Sequence, residues 1–160
     1  MVIQYFPLTG AGGWPTGGDV KAMSWMAIIE GARGLLYWSF GEKGLAWIKD
    51  PRERERKWAE LVSLTKEIHA LSPVLLAPDA PIVTGGNKDV RQLGKRMPDG
   101  ARYLFAYNAG STPVTANWTL DAPATAVIDL DAKAAGPTVD RQTALTVSFA
   151  PYEVKRLLIR

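Results

Sequence analysis

Lys21-Ala22-Met23-Ser24-Trp25-Met26-Ala27-Ile28-Ile29-Glu30-Gly31-Ala32-Arg33-Gly34-Leu35-Leu36-Tyr37-Trp38-Ser39-Phe40 decides the fold of the 160-residue chain. It opens with apolar residues at helical spacing, breaks at Gly31 and Gly34, and becomes a continuous apolar run ending in aromatics. A helix, a tight turn and a buried strand in about twenty residues are one step of a parallel α/β sheet. Ligands meet such sheets at the carboxyl ends of their strands. Residues 37–42, Tyr-Trp-Ser-Phe-Gly-Glu, are therefore the first place to look for chemistry.

Working outward, residues 2–6 (Val-Ile-Gln-Tyr-Phe) form a short apolar run closed by Pro7, as expected of a buried strand. Residues 8–18 contain five glycines with Trp14 among them, and read as a loop. A helix is predicted from Asp19, whose carboxylate suits a helix start, to Gly31. A second helix has Asp50 as N-cap, Pro51 at its first position and Glu53 at its third. It is predicted to run to Leu71, burying a face of Trp58, Leu61, Val62, Thr65, Ile68 and Leu71. The alternating Arg52-Glu53-Arg54-Glu55-Arg56 reads as a solvated face.

After Ser72-Pro73 the period changes. Strand-like runs recur at 82–84, 90–97, 102–108, 114–120, 126–130, 145–149 and 152–159, with Pro98-Asp99-Gly100 as a hairpin turn. Short strands at this spacing predict an antiparallel β-sandwich. The expected organisation is α/β plus all-β: β/α units over 1–78, a boundary near 77–81, and a sandwich over 79–160.

The helix-and-strand residues Met23, Trp25, Ala27, Ile28, Gly31, Ala32, Tyr37 and Trp38 resemble the last steps of the (β/α)8 barrel of many glycoside hydrolases. A β-rich domain commonly follows that barrel, which matches the change of character after residue 78. The resemblance implies the C-terminal portion of an enzyme that hydrolyses O-glycosidic bonds. A full barrel takes some 200 or more residues, so two β/α units imply either further units in a longer polypeptide, or packing of this piece on the sandwich or on a second copy. In the largest clan of such barrels the catalytic carboxylates are glutamates ending the fourth and seventh strands. If residues 2–6 are the seventh strand, the chain offers Gln4 and Tyr5 there, an amide and a phenol, so most catalytic carboxylates are expected elsewhere.

Glycoside hydrolysis usually needs two carboxyl groups. Glu42 is the acid immediately after the second strand and the candidate catalytic group; its bland reading is a solvated loop glutamate beside Lys43. Gln4, Trp38, Trp14 and Trp47 are the candidate substrate-binding residues, because sugar C–H faces stack on indole and amides bond hydroxyls. Trp25 and Trp58 are expected in the core. His69, the only histidine, is expected to serve the end of the second helix. Asp129 and Asp131 are expected on one solvated strand face, with too few oxygens for calcium.

The predicted partner is a carbohydrate. Nucleic acid is not expected: the net charge of +3 is spread as nine Lys/Arg against eight Asp/Glu in 1–78, and ten against eight in 79–160. No apolar run reaches bilayer length, so no membrane partner is expected. No metal site or cofactor is predicted: there is no cysteine, and the glycine-rich loop lacks the lysine of a phosphate loop. No signal peptide is visible, and a signal in an upstream segment would make the protein secreted or periplasmic. A non-catalytic carbohydrate-binding protein and an inactive, oligomerising fragment stand as alternative readings.

Overall fold

A computed structural model of the chain describes residues 1–6, 13–38, 48–132, 134–135 and 142–160. The chain divides into two compact units, Met1–Leu71 and Ser72–Arg160.

In the first unit, β1 (Val2–Gln4) and β2 (Leu36–Trp38) pair in parallel, with Ile3 opposite Tyr37 and Gln4 opposite Trp38. Between them runs α1 (Gly17–Ile29), and α2 (Pro51–Ala70) follows. A parallel pair needs such a crossover, because no tight turn joins two strands running the same way. Strand alternation turns Ile3 and Tyr5 towards the helices, where they are buried with Val20, Trp25, Ala27, Ile28 and Leu61. Trp25 lies in the core as expected, fully buried, and its indole Nε1 donates to Glu67 at 3.1 Å. Lys21 adds an ion pair to the same carboxylate at 3.0 Å, tying α1 to α2.

The helix starts and faces differ from expectation at two points. The N-cap of α1 is Thr16, and Asp19 sits at its third position in a full capping box. The glycines at 17 and 18 look like loop in a sequence, yet they fall inside the first turn. In α2 the buried residues are Lys57, Leu61 and Leu64, whereas Trp58 is 49% exposed and Thr65 is exposed. The buried face is rotated from the one that apolar counting selects by less than the roughly 100° of one residue, since Leu61 belongs to both. The reason is that its buried side is built partly on a lysine whose polar atoms are bonded internally. Asp50 does cap α2, accepting from the amide of Arg52 at 2.9 Å.

The second unit begins with the short α3 (Ser72–Leu75). Its strands are β3 (Val83–Gly85), β4 (Val90–Arg96), β5 (Arg102–Asn108), β6 (Val114–Ala124), β7 (Val127–Asp129), β8 (Ala134–Ala135), β9 (Gln142–Phe149) and β10 (Val154–Ile159). They form a five-stranded sheet, β4-β5-β10-β7-β8, and a three-stranded sheet, β3-β6-β9, in which every neighbouring pair is antiparallel. Leu104, Ala106, Leu157 and Ile159 from the first sheet meet Trp118, Leu120, Leu145 and Phe149 from the second in one continuous core. Trp118 and Phe149 pack edge-to-face, 6.1 Å between ring centroids.

Two glycines are required by this packing. A Cβ on Gly94 would stand 2.3 Å from the Ala80 carbonyl oxygen, and one on Gly86 would stand 2.6 Å from Trp118 Nε1. Lys95, 5% exposed, donates to the carbonyls of Leu75 and Ala77 and pairs with Asp79. That lysine draws the connection after α3 onto β4, so residues 72–79 belong with the sandwich.

Asp129 and Asp131 do not share a strand face, although Asp131 is exposed. β7 ends at Asp129, whose carboxylate accepts the amide of Asp131 at 2.8 Å, and Asp131 forms a bidentate pair with the buried Arg156 at 2.6 and 2.9 Å. The alternation rule fails here because the strand stops between the two residues.

Candidate functional site

The residues predicted to face substrate separate into two groups. Gln4 and Trp38 are direct neighbours across the β1–β2 pair, and the backbone amide of Tyr5 donates to the Trp38 carbonyl at 2.5 Å. Alternation places Val2, Gln4, Leu36 and Trp38 on the sheet face away from the helices. Its counterpart Tyr37 faces α1 and bonds Ser24 Oγ at 3.1 Å. Burial raises the pKa of the Tyr37 phenol, while its bond to Ser24 acts to lower it.

The outward face is bare. Val2, Leu36 and Trp38 are 58%, 58% and 59% exposed. Gln4 is half-buried and spends its Nε2 on the Phe6 carbonyl at 2.8 Å, which leaves its amide oxygen for an outside donor. An indole with an open face beside an amide oxygen suits a ligand with apolar C–H surface and hydroxyl donors.

Trp14 lies elsewhere. Its ring meets Tyr5 edge-on at 6.3 Å, and Lys57 Nζ stands 5.9 Å from its centroid. Tyr5 is buried with its hydroxyl on the Lys57 carbonyl at 2.8 Å. Burial, reinforced by the nearby Glu60 carboxylate, pushes its phenol up to about 12. The structure therefore brings Gln4 to Trp38, and sets Trp14 on the helix side of β1 with Tyr5 and Lys57. Glu42 and Trp47 lie outside the described residues.

The Tyr5–Lys57 pairing carries no sequence signal, because Lys57 follows directly on the alternating Arg/Glu run and is indistinguishable there from a solvated charge. His69 is exposed in the last turn of α2. Among the described residues no group of three His, Cys, Asp or Glu side chains could hold a metal ion. No helix among them is long and apolar enough to cross a membrane.

No protein-family model matches the chain, and no curated protein sequence does either. Several solved structures do. A provisionally assigned α-N-acetylgalactosaminidase from Bacillus halodurans aligns over 99% of this chain and 36% of its own, at 12% identity and a TM-score of 0.63. A glycoside hydrolase family 27 β-L-arabinopyranosidase from Geobacillus stearothermophilus aligns over 99% and 36%, at 13% identity and a TM-score of 0.59. An α-amylase from Geobacillus thermoleovorans, complexed with acarbose, aligns over 91% and 34%, at 12% identity and a TM-score of 0.58. The chain thus spans about a third of the length of the structures it matches. Its β/α units followed by a β-sandwich have the fold of part of these glycoside hydrolases.

Proposed function

We propose that this chain forms the C-terminal portion of a glycoside hydrolase, the last two β/α units of its barrel and the β-sandwich that follows. The fold likeness across both units carries the reading, since α-N-acetylgalactosaminidase, arabinopyranosidase and amylase structures all align with nearly the whole chain. The bare sheet face supports it: parallel sheets are covered on both faces, and here the helices cover one. In a closed barrel the face carrying Val2, Gln4, Leu36 and Trp38 turns inward, with the strand ends at the substrate.

On this reading Trp38 stacks against a sugar ring and the Gln4 amide oxygen accepts a sugar hydroxyl. Trp47, beyond β2 in the sequence, adds a further indole for the sugar, and Trp14 supports the rim from behind. Glu42 is the acid that this chain contributes near the reacting bond, and further carboxylates come from other strands. If β1 is the seventh strand of the barrel, its glutamine, where the largest clan of such barrels has a glutamate, favours a second reading: a carbohydrate-binding protein without hydrolytic activity.

The test uses the longest polypeptide that contains this chain. Aryl glycosides should be hydrolysed, and Trp38→Ala should raise KM about tenfold, the loss of about 1.4 kcal/mol of stacking. Sugar binding without hydrolysis would select the second reading. Neither binding nor hydrolysis across galactosides, arabinosides and maltosides would refute both.

A further inference from the structure

Lys57 is 2% exposed and carries a charge into the interior of the first unit. Burying an ammonium group is costly unless it is paired or bonded. Among the described residues no carboxylate stands within ion-pair distance of it. Its Nζ instead donates to the Pro15 carbonyl at 2.8 Å and lies 5.9 and 6.0 Å from the Trp14 and Tyr5 ring centroids. Two aromatic faces and one carbonyl are the set that a desolvated cation can use without a counter-ion.

The same helix grips the same segment at a second point. Glu60, one turn beyond Lys57, lies so close to Gly17 that a Cβ there would stand 2.9 Å from its carboxyl carbon. Glu60 Oε1 is held by Arg56, while its Oε2 is buried without a hydrogen-bond partner. α2 thus clasps residues 14–17, between the end of β1 and the first turn of α1, from two successive turns.

We propose that Lys57 is a positioning residue. Its charge fixes the 14–16 segment at the carboxyl end of β1 and holds the Trp14 indole on the helix side of the sheet. A methionine would fill the same length but would leave the Pro15 carbonyl unbonded and release the ring faces. The division that follows, with Trp14 a support and Trp38 the sugar contact, rests on the carbohydrate reading above; the role of Lys57 does not.

The test is 19F NMR of the full 160-residue chain labelled with 5-fluorotryptophan, six lines in all, with Trp14 and Trp38 assigned through Trp14→Phe and Trp38→Phe. At a concentration where the chain is monomeric, the Trp14 line of the unsubstituted chain should show a smaller H2O/D2O isotope shift than the Trp38 line. Lys57→Met should move the Trp14 line towards free indole and raise its isotope shift to that of Trp38, leaving the Trp118 line in place. Lys57→Arg, which keeps the charge, should restore the original Trp14 line. A Trp14 line that Lys57→Met leaves unmoved would overturn the proposal. So would equal isotope shifts for Trp14 and Trp38 in the unsubstituted chain, a result that needs no variant to fold. Maltotriose or arabinose should then move the Trp38 line alone; no response to either sugar counts against the carbohydrate reading and leaves the assignment of Lys57 standing.

Discussion

The two units solve the same problem to different degrees. In the sandwich, two sheets turn their apolar faces on each other, and fourteen buried residues close one core. In the β/α unit, two strands turn one face to their helices and leave Val2, Leu36 and Trp38 more than half exposed on the other. An antiparallel pair of sheets is complete in itself, whereas a two-stranded parallel sheet is a sector of something larger. Stability is therefore lodged in the second unit and the open apolar face in the first.

Truncations should expose that contrast most strongly. Phe149→Ala, at the centre of the inter-sheet core, should cost about 3–5 kcal/mol in denaturant unfolding. Leu36→Ala, with the side chain on the bare face, should stay within about 0.5 kcal/mol. A large loss at Leu36 would mean that the face is covered within the chain and would break the comparison.

Next in size is Lys95→Met. It strands the Leu75 and Ala77 carbonyls and should cost about 1–3 kcal/mol, with Leu75–Asp79 amides losing exchange protection before those of β5. Uniform loss of protection would show that the connection is held by packing instead.

Thr16→Ala should remove about 1 kcal/mol by deleting the α1 cap. The cap also carries a pH signature. Hydrogen bonds from Thr16 hold the Asp19 carboxyl below its ordinary 3.8, so the ionised form is favoured in the folded state. Its contribution is complete above the ordinary value and is lost as pH falls through the folded-state value. Asp19→Asn should flatten that acid limb, as read from thermal unfolding midpoints between neutral and acid pH, and leave neutral-pH behaviour the closer to that of Thr16→Ala.

Much of this was legible in the sequence because the signals are local. The Gly31 and Gly34 break separates α1 from β2, Asp50-Pro51 marks the start of α2, and the spacing of turns after residue 80 gives the sandwich strands. What was not legible depends on partners distant along the chain. Tyr5 and Lys57 meet across 52 positions, and the buried lysine turns α2 away from its apolar stripe, so that Trp58 faces out. Arg156 engages the exposed Asp131 in a bidentate pair that alternation with Asp129 did not reveal. For the site, their places at the ends of the two predicted strands put Gln4 and Trp38 in one candidate set, and the register of β1 with β2 makes them neighbours. Trp14 could not be placed, because a loop residue has no period to read.

If the open face of the β/α unit is one that the rest of a barrel would cover, the isolated chain should self-associate through it. Static light scattering on the purified chain over a concentration series tests it directly, beside the double variant Leu36→Ser, Trp38→Ser. The account predicts a mass rising with concentration above 17.4 kDa for the unsubstituted chain, and a constant 17.4 kDa, within the small change in composition, for the variant. An unsubstituted chain that stays monomeric at every concentration would contradict it.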